Sequence, residues 1–167
     1  MKISMHNMVA DQCVPLLVAL SKLLDKGVAY ADTKKFDPKV LVNSRLAPDM
    51  HPLSRQVQIA CDMVKNGAAR LAGQEAPKFD DTEQTVDELK ARIAKTIDYV
   101  KSLPANAFDG SEDRQITIPI PNRTLEFKGL DYLRQFLLPN FFFHISMVYA
   151  LLRHNGVDIG KRDFLGA

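Results

Sequence analysis

Leu130-Asp131-Tyr132-Leu133-Arg134-Gln135-Phe136-Leu137-Leu138-Pro139-Asn140-Phe141-Phe142-Phe143-His144-Ile145-Ser146-Met147-Val148-Tyr149-Ala150-Leu151-Leu152-Arg153-His154 is the stretch on which the fold turns. At ~100° per residue, Leu133, Leu137, Asn140, Phe141, His144, Val148 and Leu151 fall on one face. Gln135, Ser146 and Arg153 fall on the other. Three consecutive phenylalanines spread apolar surface around much of the girth, which predicts the most buried helix of the molecule. Asn155-Gly156 is a C-terminal stop. Pro139 frees the carbonyl of Gln135 and predicts a bend.

Such a helix needs companions, and three precede it. Val9, Cys13, Leu16, Leu20, Leu23 and Leu24 recur at helical spacing, predicting a first helix from Ser4 to Tyr30 with a kink or restart at Pro15. Asp37-Pro38 opens a short helical turn through Val42. Pro48 and Pro52 bracket the start of a second helix, which runs to Leu71 and ends at Gly73. Its apolar stripe is Leu53, Val57, Ala60, Val64, Ala68 and Leu71. Asp80-Asp81-Thr82 reads as the opening of a third helix that buries Val86, Leu89, Ile93, Ile97 and Val100 and stops at Pro104. Glu88 and Arg92 are spaced to pair on its wet side.

The period then changes from helical to two. Gln115-Ile116-Thr117-Ile118-Pro119-Ile120 and Thr124-Leu125-Glu126-Phe127, separated by Pro121-Asn122-Arg123, predict a β-hairpin whose proline confines its strand to an edge. The tail from Val157 to Ala167 reads as extended, pinned by Phe164 and Leu165. The reading is all-α: one domain over 1–167, a bundle of four antiparallel helices with a small hairpin between the third and fourth.

The composition excludes several functions. Of 167 residues, 46% are hydrophobic and 25% charged, an ordinary globular balance. The net charge of +2, with no basic run longer than the pairs Lys34-Lys35 and Lys161-Arg162, argues against nucleic acid as a partner. Met1 to His6 carries no signal-peptide pattern, and no stretch reaches the ~18 uninterrupted apolar residues of a membrane span. Cys13 and Cys61 match no metal or redox spacing and read as reduced core thiols of a cytoplasmic protein.

Two groups of residues carry candidate chemistry. Asn140 and His144 share the inward face of the fourth helix. They read as a hydrogen-bonded pair that fixes register, or as a ligand site in a cleft between helices. His51, Arg55, Gln58 and Asp62 form a polar stripe opposite the apolar face of the second helix. It reads as a solvated face, with a cleft wall or dimer interface as the functional alternative.

The segment Asn43-Ser44-Arg45-Leu46-Ala47-Pro48-Asp49-Met50, with Pro52-Leu53 and Arg55-Gln56-Val57-Gln58, resembles the signature of an uncharacterised bacterial and fungal family. So do Leu138-Pro139-Asn140-Phe141 with His144, and Arg153-His154-Asn155-Gly156 through Gly160-Lys161-Arg162-Asp163. That family, a domain of unknown function, is placed among the DinB-like helical bundles. The resemblance implies a four-helix bundle, often dimeric, and in many members a divalent metal, Zn or Ni, held by three histidines. His144 matches one of these ligands and His51 is the candidate second. Asn140 or Val148 stands where the third would be, so the triad is incomplete.

Three functions are therefore expected to compete. The first is a non-catalytic or cryptic homodimeric member that binds a small molecule or partner. The second is a metal-dependent thiol transferase or hydrolase using His144 and His51. The third is a structural core that dimerises through the fourth helix or the hairpin.

Overall fold

Ser4 has extended backbone and its side chain accepts a hydrogen bond from the amide of Asn7, so the first helix begins immediately after it. The computed structural model describes residues 4–167; Met1–Ile3, part of the stretch read for a signal pattern, lie outside the described residues. Helix α1 spans Met5–Lys34. It continues past Tyr30 and runs through Pro15 without the expected restart, the ring lying on the exposed side. A short helix α2, Lys39–Val42, leads to α3, Leu53–Ala72, which ends at Gly73 in the left-handed region (φ 68°).

Helix α4 is Val86–Ser102. Its cap is Thr85, not the Asp80-Asp81-Thr82 run: the Thr85 hydroxyl accepts from the Glu88 amide while the Glu88 carboxylate reaches back to the Thr85 amide. Glu88 is thus spent on the cap and does not pair with Arg92. After a 3₁₀ turn, Ala105–Phe108, strands β1 (Gln115–Ile120) and β2 (Arg123–Lys128) pair antiparallel from Gln115↔Lys128 to Ile120↔Arg123. Arg123 belongs to the strand, so the turn is Pro121-Asn122, with Asn122 at φ 69°.

Helix α5 covers Gly129–His154. Its segment Tyr132–Leu137 is π-helical and passes into regular α-helix at Leu138. Pro139 offers no N–H to the turn before it, and the helix widens to π there. The tail is not extended: Lys161–Leu165 form a last helix, α6, whose Phe164 packs edge-on against Tyr149 while Leu165 stays exposed.

The helices are not all antiparallel. Asp62 of α3 meets Arg92 of α4, and Lys65 and Lys95 both reach the Phe79 ring, so α3 and α4 run the same way. Helix α5 runs against α3, with Leu137 beside Gly67 and His144 beside Gln56. Helix α1 runs against α4, with Asp25 paired to Lys90. The order is up-down-down-up, and residues 73–85 form a crossover that returns along α3. At ~3.3 Å per residue it can reach ~43 Å, enough to span the ~30 Å of a twenty-residue helix.

The core lies where the four long helices converge, with Leu17, Leu24, Val57, Val64, Leu89, Ile93, Leu137 and Phe141 essentially sealed from solvent. By length and mean hydropathy (1.3 and 1.4), α1 and α5 are apolar enough to cross a bilayer, although Ser21, Lys22 and Asn140 interrupt them. In each, 39% of the apolar window is buried in the bundle.

Candidate functional site

The site is built around one imidazole at the α3–α5 seam. Nδ1 of His144 lies 2.7 Å from Oε1 of Gln56, whose side chain is buried on α3. The Gln56 amide donates through Nε2 to the carbonyl of His51 (3.3 Å). A carbonyl can only accept, so this second bond decides which end of the amide faces the ring. Oε1 therefore accepts from His144, and the imidazole carries its proton on Nδ1.

Burial, then the nearby His51 and Arg55, pushes the His144 pKa down to about 4. The ring is neutral near pH 7, and Nε2 holds an unshared lone pair. No residue among those described bonds Nε2, and that atom is not buried. Phe143 meets the ring edge-on at 5.1 Å and is itself 53% exposed, as is Phe142 at 37%.

Asn140 does not join this arrangement. Its Nδ2 donates to the carbonyl of Phe136 at 2.7 Å, inside the π turn. The expected Asn140–His144 pair is absent because the Asn140 amide is taken by the Phe136 carbonyl and the His144 ring turns to Gln56. Beyond the π segment the buried positions are Phe141, Ile145, Val148 and Leu152, and His144 moves from the centre of that face to its edge. There it is half-buried and turned toward α3.

The polar stripe of α3 is not a solvated face. The crossover lies along it and supplies the counter-charges. Arg55 pairs with Asp81 and lies 3.2 Å from Oε1 of Gln58. Gln58 donates to Glu83 at 2.9 Å. Asp62 takes Lys65 at 3.0 Å and Arg92 at 2.9 Å. Arg92, expected on the wet side of its helix, is 3% exposed and also contacts Asp81 and Glu83 at 2.9 Å each and the carbonyl of Asp80. The ammonium groups of Lys65 and Lys95 each lie 4.2 Å from the ring centre of Phe79.

Gln56 and Arg92 were missed by the sequence reading, yet a signal existed. Gln56 stands three residues after Leu53 and four before Ala60. Arg92 stands three after Leu89 and four before Thr96. Both positions lie on the apolar face of their helix.

His51 is exposed, and its charge reaches His144. Among the described residues, no three or more His, Cys, Asp or Glu side chains are grouped to hold a metal ion. Cys13 and Cys61 are free and buried, and burial pushes both thiols up to about 12, so they stay protonated and unreactive. A cleft of ≈370 Å³ beside Phe79 and Arg92, and one of ≈470 Å³ beside Met5 and Phe108, lie away from His144.

The architecture, four long helices with a small hairpin before the last, is that of a DinB-like bundle. The chain is similar to a DinB family member protein from Shewanella denitrificans of known crystal structure. Identity is 43% and the TM-score 0.90, over 97% of this chain and 92% of that one. Residues 5–165 match the family described as "Domain of unknown function (DUF1993)". The chain belongs to that family, as the resemblance read from its motifs implied. No curated protein matches it.

Proposed function

We propose that this chain is a non-catalytic binding protein of the cytoplasm whose ligand surface is centred on Nε2 of His144. The observation that carries the reading is the two-bond clamp on Gln56. It leaves a neutral imidazole with a fixed acceptor at the protein surface, beside the exposed ring of Phe143. A fixed acceptor beside an apolar ring suits a small molecule with one polar edge and one apolar edge. The free, protonated cysteines suit a reducing compartment. Phe142 and Phe143 also offer a second copy of the chain an apolar contact, so the protein is proposed to dimerise, which light scattering tests.

The experiment is a fragment panel of neutral and charged small molecules, read by NMR on the His144 imidazole and the Phe143 ring. Binders that perturb both and are lost in His144→Ala support the reading. A panel with no such binder at millimolar concentration overturns it.

One observation favours a metal-dependent thiol transferase or hydrolase as the second reading. An imidazole whose Nδ1–H is held by an amide oxygen, with a bare Nε2 and a second histidine near, is oriented as metal-ligating histidines are. Elemental analysis of protein purified without chelator decides. Stoichiometric Zn or Ni, lost in His144→Ala, would move the assignment to this class.

A further inference from the structure

The crossover is held to the bundle by charge and not by burial. No residue from 73 to 85 is buried. Its ties converge on one side chain. Arg92 of α4 donates to the Asp80 carbonyl at 3.0 Å and pairs with Asp81 and Glu83 at 2.9 Å each. Gln58 and Arg55 of α3 add one contact apiece, to Glu83 and Asp81. Beneath these carboxylates the cations cluster. Lys65 and Arg92 share one oxygen of Asp62, at 3.0 and 2.9 Å, and their side chains are only 5% and 1% exposed. The ammonium groups of Lys65 and Lys95 and the guanidinium of Arg92 all lie within 5.6 Å of the centre of one ring, Phe79, which the crossover lays on them. An acidic segment thus covers a cationic groove. It is not packed down along its whole length: a cleft of ≈370 Å³ opens between Phe79, Asp80 and Thr82 on the crossover and Ala91 and Lys95 on α4.

From this geometry we infer that residues 73–85 are a strap latched by Arg92, which lifts from α3 and α4 as a unit while the bundle stays folded and uncovers the groove of Lys65, Arg92 and Lys95. Three features permit the motion. The strap has slack, since it can reach ~43 Å and has ~30 Å to span. Its ends are fixed independently of the latch, by Arg114 on the carbonyl of Leu71 and by the Thr85–Glu88 capping box. Lifting also wets both sides of the latch together. The guanidinium keeps Asp62 and gains water, and Asp81 and Glu83 gain water, so no charge is left buried and alone. A segment with so little apolar burial opens at a lower free energy than the core beneath it. Closed, the strap neutralises the groove. Open, it leaves Asp62 to answer both Lys65 and Arg92. The device does not depend on what the His144 surface binds.

Two buried side chains read the two kinds of opening in the full-length protein. Lys65 lies under the strap, and its acetylation by an amine-reactive ester reports lifting. Cys13 lies in the core on α1, and its alkylation by iodoacetamide reports opening of the bundle. Each rate is taken relative to that of the urea-unfolded chain. Lys65 should be less protected than Cys13 by tenfold or more. Glu83→Gln weakens the latch and should speed Lys65 acetylation about tenfold while Cys13 keeps its protection. Glu75→Gln, on the same strap but outside the ion pairs, should change neither. Equal protection of Lys65 and Cys13, or a Glu83→Gln effect that is absent or falls equally on both, overturns the inference.

Discussion

Gln56 and His144 are 88 positions apart in the chain and meet at 2.7 Å, and the buried amide sets the proton position on the ring. Replacing Gln56 with Leu removes the only partner of Nδ1 among the described residues. The protein should lose ~1–2 kcal/mol in urea unfolding. The imidazole should also exchange between its two neutral tautomers, which nitrogen chemical shifts of the ring report.

The same ring makes stability depend on pH. Its folded pKa, about 4, lies below the ordinary 6.5. Between these values the unfolded chain binds more protons, so stability falls as pH drops from about 6.5 toward about 4. Above that window the contribution is flat. Half-exposure of the ring reduces the full linkage value, and the expected loss is ~1–2 kcal/mol. Chemical denaturation across that range should show the slope in the parent and a shallower one in His144→Gln.

Arg92 should be the most sensitive charged residue. Arg92→Met leaves Asp62, Asp81 and Glu83 facing one another without their shared cation. These carboxylates keep some access to water, so the expected loss is ~2–4 kcal/mol, toward the lower end for a broken buried pair. Trypsin should then cut faster after the exposed Lys78, because the crossover loses its anchor.

Capping distinguishes Thr85 from its neighbour. Thr85→Ala should cost ~1 kcal/mol, since it leaves the Glu88 amide without its acceptor. Thr82→Ala should be neutral within ~0.5 kcal/mol, because Thr82 is exposed and caps nothing. Thermal melts of the two variants read the difference.

Gly129 starts α5 against the loop before the hairpin. A Cβ there would run into the carbonyl oxygen of Ser111, which is backbone and has no rotamer by which to move. Gly129→Ala should cost about 3 kcal/mol, measured by urea unfolding.

Much of this was legible in the chain. The three apolar stripes, the stop at Gly73 and the two short strands all appeared close to where periodicity and turn chemistry put them. The errors share a cause. Pro139 was read as freeing the Gln135 carbonyl, and the helix widens to a π segment there, but the Asn140–His144 pairing was lost because each side chain found another partner, Phe136 for one and Gln56 for the other. Asp80-Asp81-Thr82 was read as a cap because caps and ion pairs draw on the same residue types, and spacing alone does not separate them. The α3 stripe was read as solvated because a wheel shows which way a face points but not what lies over it.

What the sequence determined by itself is the set of helices and the hairpin, because 3.6-residue and two-residue periods, caps and breakers act over a few neighbouring positions. The tertiary structure alone decided that α3 and α4 run parallel, that the crossover lies along the α3 stripe, and that Gln56 holds His144. Those relationships join residues tens of positions apart. They depend on which faces pack together, which is set by the burial of the whole core and by no local pattern.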